Sequence, residues 1–341
     1  LSEYNVAVVG ATGAVGQEIL KVLAERRFPV KNIKLLATAR SAGKEMVFRG
    51  ETHVVEETRP ESFDGVDIAL FAGGAASKEF GPGAAEKGCV VIDNSSHFRL
   101  DPQVPLVVPE VNPEDVKLHR GIIANPNCST IIMVVPLKPI KDAAGIRRVV
   151  VATYQAVSGA GKEAIDELTA QTKAVLAGEE YEPQVFPYRI AFNLIPHIDV
   201  FQEMDYTKEE WKMVKETRKI LHDENLAVTA TTVRVPVYRS HSEAVNIETE
   251  KKLTAAETKE LLARFPGVVV LDDPAAKKYP MPFYCSDRDE VFVGRIREDN
   301  SVASGLNLWV VADQLRKGAA TNAIQIAELV IEYGCLSGGG R

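Results

Sequence analysis

Of the side chains able to bond covalently to a substrate, one cysteine stands in an unusual place. Cys128 lies within "GIIANPNCSTIIMVVP" (121–136), after a turn-forming Asn-Pro-Asn and before a long apolar run. The pattern predicts a thiol in the first turn of a helix, where free backbone N–H groups and the helix dipole favour a thiolate. A thiolate is both a nucleophile and a good leaving group, the two properties that covalent acyl transfer needs. Cys89, Cys285 and Cys335 are scattered, form no Cys-x-x-Cys pair and read as small buried hydrophobes. That spacing leads us to expect neither a disulfide framework nor a metal site.

A second motif is made of glycines. "GATGAVG" (10–16) places Gly10, Gly13 and Gly16 between an expected strand and an expected helix. Glycines there let backbone N–H groups approach a pyrophosphate at a helix N-terminus; Thr12, Ala14 and Val15 belong to the same candidate binding loop. The spacing is G-x-x-G-x-x-G rather than the commoner G-x-G-x-x-G. A further strand ending in glycines, "FAGGAAS" (71–77), would set Gly73 beside the same dinucleotide at the carboxyl edge of a sheet. NAD-specific folds end the second strand with an acid that binds the ribose 2′-hydroxyl. Here that strand runs into "ATARSAGK", where Thr38, Arg40 and Ser41 offer hydroxyls and a guanidinium. A 2′-phosphate suits them better, which points to NADP.

These motifs need a scaffold, and the apolar pattern supplies one. "YNVAVVG" (4–10), "NIKLLATAR" (32–40), "VDIALFAGG" (66–74), "CVVIDNSS" (89–96) and "GIIAN" (121–125) read as short buried strands. Helical periodicity over 14–27, and in part over 77–88, falls between them. Strand–helix–strand at this spacing argues a parallel sheet with helices on both faces. After Cys128 the pattern changes. Segments 146–158, 226–237, 243–250, 290–298 and 306–313 read as longer strands, many alternating as half-buried antiparallel strands do. Helical stretches near 160–177 and 207–222 interrupt them, and 313–334 reads as a long amphipathic helix able to pack back on the first domain. The "SGGGR" end is expected to be disordered.

Composition sets outer bounds. The chain has 341 residues, enough for two domains with substantial cores. Its 45% hydrophobic and 26% charged content is that of a soluble globular protein. A net charge of −7 without a Lys/Arg block argues against a nucleic-acid partner. No stretch reaches the roughly 20 apolar residues of a membrane span. The chain enters a strand almost at once, so no signal peptide is expected, and few cysteines fit a reducing compartment, the cytoplasm.

In order along the chain stand "GATGAVG", "NPNCST", "QAVSGAG", "EEWK" and "VRVPVYRSHSEA". Together, over essentially the whole length, they resemble the aspartate-semialdehyde dehydrogenase family. The resemblance implies an α/β fold: a Rossmann-type dinucleotide-binding domain plus an α+β catalytic and dimerisation domain with a mixed, largely antiparallel sheet. The expected boundaries are 1–127, with the C-terminal helix 313–334, for the NADP-binding domain and 128–312 for the catalytic one. It implies that Cys128 attacks the aldehyde of aspartate 4-semialdehyde, that an acyl-thioester forms, and that inorganic phosphate releases 4-aspartyl phosphate. In the cell the reaction would run in reverse, toward lysine, threonine and methionine.

By the same resemblance His241 is the general acid/base and Gln155 orients the substrate. The other five histidines are read as structural. Asn127 and Arg234 are assigned to the substrate, Arg234 to its carboxylate through a planar fork. Glu209 takes the ammonium, with Glu210 next to it as the competing register. Lys212 and Arg99 take phosphate. Ser158, Gly159, Gln314 and, most loosely matched, Pro187 join the cofactor contacts. The expected assembly is a homodimer or homotetramer. Three other readings stand beside this one: an N-acetyl-gamma-glutamyl-phosphate reductase, whose substrate lacks the ammonium; a nucleotide-sensing protein with an inert cysteine; and a cysteine hydrolase.

Overall fold

The computed structural model describes residues 2–336. The expected disordered end, 337–341, lies outside them. The chain divides into two compact units, one formed by the chain up to Asn127 together with the segment from Ala319, the other by Cys128–Gly318.

The first unit is built on a parallel six-stranded sheet. Its strands are β1 (Tyr4–Val9), β2 (Val30–Ala37), β5 (Glu56–Glu57), β6 (Ile68–Phe71), β7 (Val90–Asp93) and β8 (Ile122–Ala124), and β3 (Glu45–Phe48) and β4 (Glu51–Val54) form a separate hairpin. The spatial order is β5-β2-β1-β6-β7-β8. Both faces of β1 are buried. Val6 and Val8 pack with Ile19, Leu23, Ile324 and Ala327 on one side, and Ala7 and Val9 with Phe63, Phe71 and Val91 on the other. Strands covered on both faces need continuous apolar runs rather than alternation, which is what the sequence shows. Helix α1 (Ala14–Glu25) buries Ile19, Leu20, Val22 and Leu23, each of which stabilises the unit by about 1.5–3 kcal/mol. Helix α2 (Ala75–Glu86) links β6 to β7.

The C-terminal helix is shorter than the periodicity predicts. It spans Thr321–Glu332 and follows a π-helical turn, Arg316–Ala320. The Asp313 carboxylate accepts the Leu315 and Arg316 N–H groups at 2.9 and 3.3 Å, so a side chain organises the chain where the pattern suggested helix. The helix itself packs in the first unit, where Glu328 pairs with Arg26 of the α1 end at 2.6 Å.

The second unit has a mixed sheet in the order β10-β9-β11-β14-β13-β12. Its strands are β9 (Ile146–Gln155), β10 (Ala227–Arg234), β11 (His241–Thr249), β12 (Val268–Val270), β13 (Val291–Glu298) and β14 (Gly305–Ala312). The β9–β10 and β12–β13 pairs are parallel; the three between them are antiparallel. One face packs against α3 (Cys128–Ala144), α5 (Lys208–Ile220) and α6 (Ala255–Ala263). Helix α3 is buried almost all round from Ser129 to Leu137, as a core helix is. On the opposite face Val150, Ala152, Tyr154, Ala244 and Trp309 stay partly exposed. Helix α4 (Lys162–Ala177) carries a satellite core of Ala164, Leu168, Ile190 and Ile195.

Gly16 shows how tightly the glycine loop is built. A Cβ there would lie 2.2 Å from the Gly10 carbonyl oxygen and 2.7 Å from the Ala11 Cα, both rigid backbone. A Cβ on Gly83, exposed within α2, would meet nothing within 4 Å. Gly16→Ala should therefore lower the melting temperature and abolish dinucleotide binding, whereas Gly83→Ala should stabilise by about 0.5–1 kcal/mol. Thermal melts of both variants check this; a neutral Gly16→Ala would contradict the packing.

Candidate active site

The geometry centres on the first residue of α3 and the first residue of β11. Cys128 opens α3, and its Sγ lies 3.5 Å from His241 Nε2. Gln155, at the end of the neighbouring strand β9, places its Nε2 3.5 Å from the same nitrogen and donates to Glu209 Oε1 at 3.2 Å. Thr153 donates to Gln155 Oε1 at 3.0 Å, which fixes the amide with its NH2 toward Glu209. The line from thiol to carboxylate thus runs Cys128, His241, Gln155, Glu209.

The tautomer of His241 follows from its other nitrogen. Nδ1 accepts the Ala156 N–H at 3.0 Å, so it carries the lone pair, and a neutral imidazole then holds its proton on Nε2. The 3.5 Å approach of Gln155 is too long to compete. His241 is wholly buried. Burial, helped by Arg234 and only partly opposed by Glu209, pushes its pKa down from 6.5 to about 3. The ring is therefore neutral at working pH and presents an N–H toward the sulfur.

Arg234, at the end of β10, is also buried and donates through Nη1 to the Ala156 carbonyl at 2.7 Å. Ala156 thus binds the histidine through its N–H and the arginine through its C=O. Burial lowers the Arg234 pKa, against opposing pulls from Glu209 and Cys128. Gly159 completes this corner: a Cβ on it would stand 3.0 Å from Arg234 Nη1 and 3.2 Å from His241 Cε1. Helix α5 decides between its two acids. Glu210 closes a capping box with Thr207, and its oxygens accept the Thr207 and Thr232 N–H groups at 2.7 and 2.9 Å. That leaves Glu209 as the acid facing Gln155 and Lys212. Lys212 bridges Glu209 at 3.0 Å and Asp199 at 2.9 Å. Burial alone would lower its pKa; the two carboxylates outweigh it and raise it.

Further along this unit, Gln314 Oε1 accepts the Ser240 N–H at 2.8 Å, and its Nε2 donates to Ser158 Oγ. Pro187 lies exposed in a loop whose Gln184–Phe186 N–H groups are taken by Glu167. Sequence reasoning missed the Ala156 backbone and Glu243. Glu243 follows two residues after His241 on the same face of β11 and is fully buried. Neither of its oxygens has a hydrogen-bond partner among the described residues, and burial holds its carboxyl well above the usual range. Of the remaining cysteines, Cys89 and Cys285 are buried, and burial raises their thiols to about 12 and about 11. Cys335 is only half-buried, less enclosed than expected.

In the first unit, Gly10 leaves β1 at φ 80° and Gly73 leaves β6 at φ 117°. The two strand ends are adjacent, since a Cβ on Gly10 would meet the Ala72 Cβ at 3.3 Å. They meet where the sheet order reverses, the place where open α/β sheets bind ligands. Neither helix start is capped by a side chain, and neither has an acid in its first turn, so Thr12, Gly13, Ala14 and Val15 frame an N-terminus suited to a pyrophosphate. Thr38 and Arg40 are exposed after β2 and Ser41 is buried. Glu57, opposite Ala37 on the edge strand, is occupied by Arg59 at 2.7 Å. These residues fit a dinucleotide. Arg99 donates to the Asn94 and Asn125 carbonyls at 2.7 and 3.0 Å, bracing the segment that leads to the buried Asn127.

An imidazole that must be neutral to act loses activity as pH falls through its folded-state pKa. For His241 that limb belongs near 3, not at the 6.5 of a free histidine. The kcat/KM profile should therefore carry no His241 limb between about pH 8 and pH 6, while His241→Asn should slow turnover about a hundredfold to ten-thousandfold. A limb near neutrality that disappears in His241→Asn would contradict the buried, neutral ring.

Two family models match the chain: the semialdehyde dehydrogenase NAD binding domain over residues 5–119 and the semialdehyde dehydrogenase dimerisation domain over residues 137–317. The aspartate-semialdehyde dehydrogenase of Aquifex aeolicus is 60% identical over 338 residues, covering 98% of this chain and 99% of that protein. The crystal structure of aspartate semialdehyde dehydrogenase II from Vibrio cholerae, complexed with ASA, superposes with a TM-score of 0.95 at 51% identity, covering 97% and 99% of the two chains. The enzyme from Candida albicans, solved with NADP, does so at 0.76 and 27% identity, covering 97% and 99%. On this likeness in sequence and fold, the chain belongs to the aspartate-semialdehyde dehydrogenase family.

Proposed function

We propose that the chain catalyses the reversible, NADP-dependent reductive dephosphorylation of L-4-aspartyl phosphate to L-aspartate 4-semialdehyde, a step toward lysine, threonine and methionine. The observation that carries this reading is the contact of Cys128 with His241, extended through Gln155 to Glu209 and flanked by Arg234.

In the oxidative direction the Cys128 thiolate bonds to the aldehyde carbon as the C=O π pair moves onto oxygen, and His241 Nε2–H hydrogen-bonds that oxyanion; its collapse back to C=O, with the carbon's hydrogen leaving as hydride, would give the acyl-thioester. A nicotinamide dinucleotide supplies, when bound, the two-electron acceptor or donor. Phosphate oxygen then bonds to the thioester carbon, the carbon–sulfur bond breaks, and Cys128 leaves as a thiolate facing the same N–H. Arg234 pairs with the substrate carboxylate through its planar fork. Glu209 takes the substrate ammonium, with Gln155 and Lys212 already holding its oxygens in place. That acid argues against the N-acetylated substrate of the nearest rival, which has no ammonium to offer. Lys212 is the phosphate ligand on this side, charged because its two carboxylates hold it so.

Arg40 and Ser41 support NADP over NAD, since a guanidinium beside a hydroxyl suits a 2′-phosphate. The partly exposed sheet face around Tyr154 and Trp309 supports self-association as a homodimer or homotetramer. No described helix is long and apolar enough to cross a membrane, which fits work in the cytoplasm.

The test is NADPH formation from aspartate semialdehyde, with and without inorganic phosphate, in wild type and Arg40→Ala. Turnover should require phosphate. Loss of a charge-assisted hydrogen bond, about 1.5–3 kcal/mol, should weaken NADP use roughly tenfold to a hundredfold in the variant and leave NAD use nearly unchanged. Sustained turnover without phosphate would exclude the phosphorylating reaction, and equal loss with both dinucleotides would remove Arg40 from the 2′-phosphate site.

A further inference from the structure

The segment that delivers His241 is held in an uncommon conformation. Ser240, immediately before it, has φ 72°, in the left-handed region that a non-glycine residue keeps only where its surroundings hold it. Two side chains do so directly. Its N–H is taken by Gln314 at 2.8 Å, and its Oγ meets Ser286 Oγ at 2.8 Å.

Behind both contacts stands one carboxylate. Asp313 is completely buried, in a place where an ion is costly unless fully paired. It is fully paired. Oδ2 accepts Arg239 Nε at 2.6 Å and the Asp287 N–H at 2.7 Å. Oδ1 accepts the Leu315 and Arg316 N–H groups. Arg239 also reaches Asp287 at 3.2 Å, and Arg316 reaches Asp289 at 2.8 Å. One anion therefore joins three segments: 239–241, which ends in the histidine; 286–289, which carries Ser286; and 313–318, which carries Gln314. Gln314 in turn donates to Ser158. The catalytic side and the expected cofactor side share this anchor.

We propose that Asp313 is a positioning residue for the reaction: its buried carboxylate fixes Arg239 and the Gln314 turn together, and so sets the place of His241 Nε2 relative to Cys128 Sγ. It contacts no reacting atom and acts through Ser240 and Gln314. The proposal rests on the roles of Cys128 and His241 given above.

The experiment compares steady-state kinetics of wild type, Asp313→Asn, Arg239→Gln and the double variant, with thermal melting as the check that each is folded. Asparagine keeps an acceptor for the Leu315 and Arg316 N–H groups and turns an NH2 toward Arg239 and the Asp287 N–H. A displacement of about 1 Å at the histidine costs on the order of a hundredfold, so kcat of Asp313→Asn should fall about tenfold to a hundredfold. KM for aspartate semialdehyde should stay within about threefold, because Arg234 and Glu209 lie outside the network. The double variant should be no slower than the worse single one, as two ends of one contact behave. A kcat within about twofold of wild type, a loss carried only by KM, or two independent multiplying effects would each overturn the proposal. If Asp313→Asn does not fold, Arg239→Gln carries the same test, since it leaves all three backbone donors on Asp313. An inactive wild type would instead count against the reaction proposed above.

Discussion

Ala156 binds with both of its backbone groups, and the site depends on that. Its N–H goes to His241 Nδ1, and its carbonyl to Arg234 Nη1. A backbone amide has one polarity and cannot be protonated or flipped, so the first contact leaves His241 a single neutral tautomer. The second fixes a buried guanidinium close to that ring. A charged imidazole beside Arg234 would be costly in so dry a place, and burial and the guanidinium both push it toward the neutral form. The N–H that results faces a thiol at the start of a buried helix. Strand register then brings Gln155 alongside, because β9 and β11 pair directly.

The first unit prepares a different kind of binding by the same means, backbone placed where side chains cannot be. Gly16 lets the start of α1 close on the Gly10 carbonyl, and the uncapped helix N-terminus is left to a ligand anion. Around the thiol, the polar groups are side chains set by strand ends and by the first turns of α3 and α5. Around the glycines, they are N–H groups set by turns.

Much of this was legible in the residues. The buried strands β1, β2, β6, β7 and β8 announced themselves as apolar runs, and the glycine loop as a strand–helix junction. Sequence left Glu209 against Glu210 open; in the structure Glu210 turns back to Thr207 in the α5 capping box, and Glu209 faces Gln155 and Lys212. Other features carried no readable signal. The β3–β4 hairpin turns at Arg49 and Gly50, both at positive φ, and arginine in that conformation lacks the Asn-Gly signature of such turns. Helix α6 had its capping box in Thr254 and Glu257, but its nine residues are short for a periodicity reading. The Asp313 network joins residues 74 positions apart, and no local pattern encodes it. The Ala156 contacts are backbone, and so invisible to any reading of side chains.

The mechanism stands or falls on Cys128 carrying the acyl group. The most direct measurement is mass spectrometry of the protein incubated with aspartate semialdehyde and NADP in the absence of phosphate. The expected result is a single acyl adduct on the peptide containing Cys128, discharged on adding phosphate and absent from Cys128→Ala. An adduct on Cys89, Cys285 or Cys335, or turnover that survives in Cys128→Ala, would contradict it.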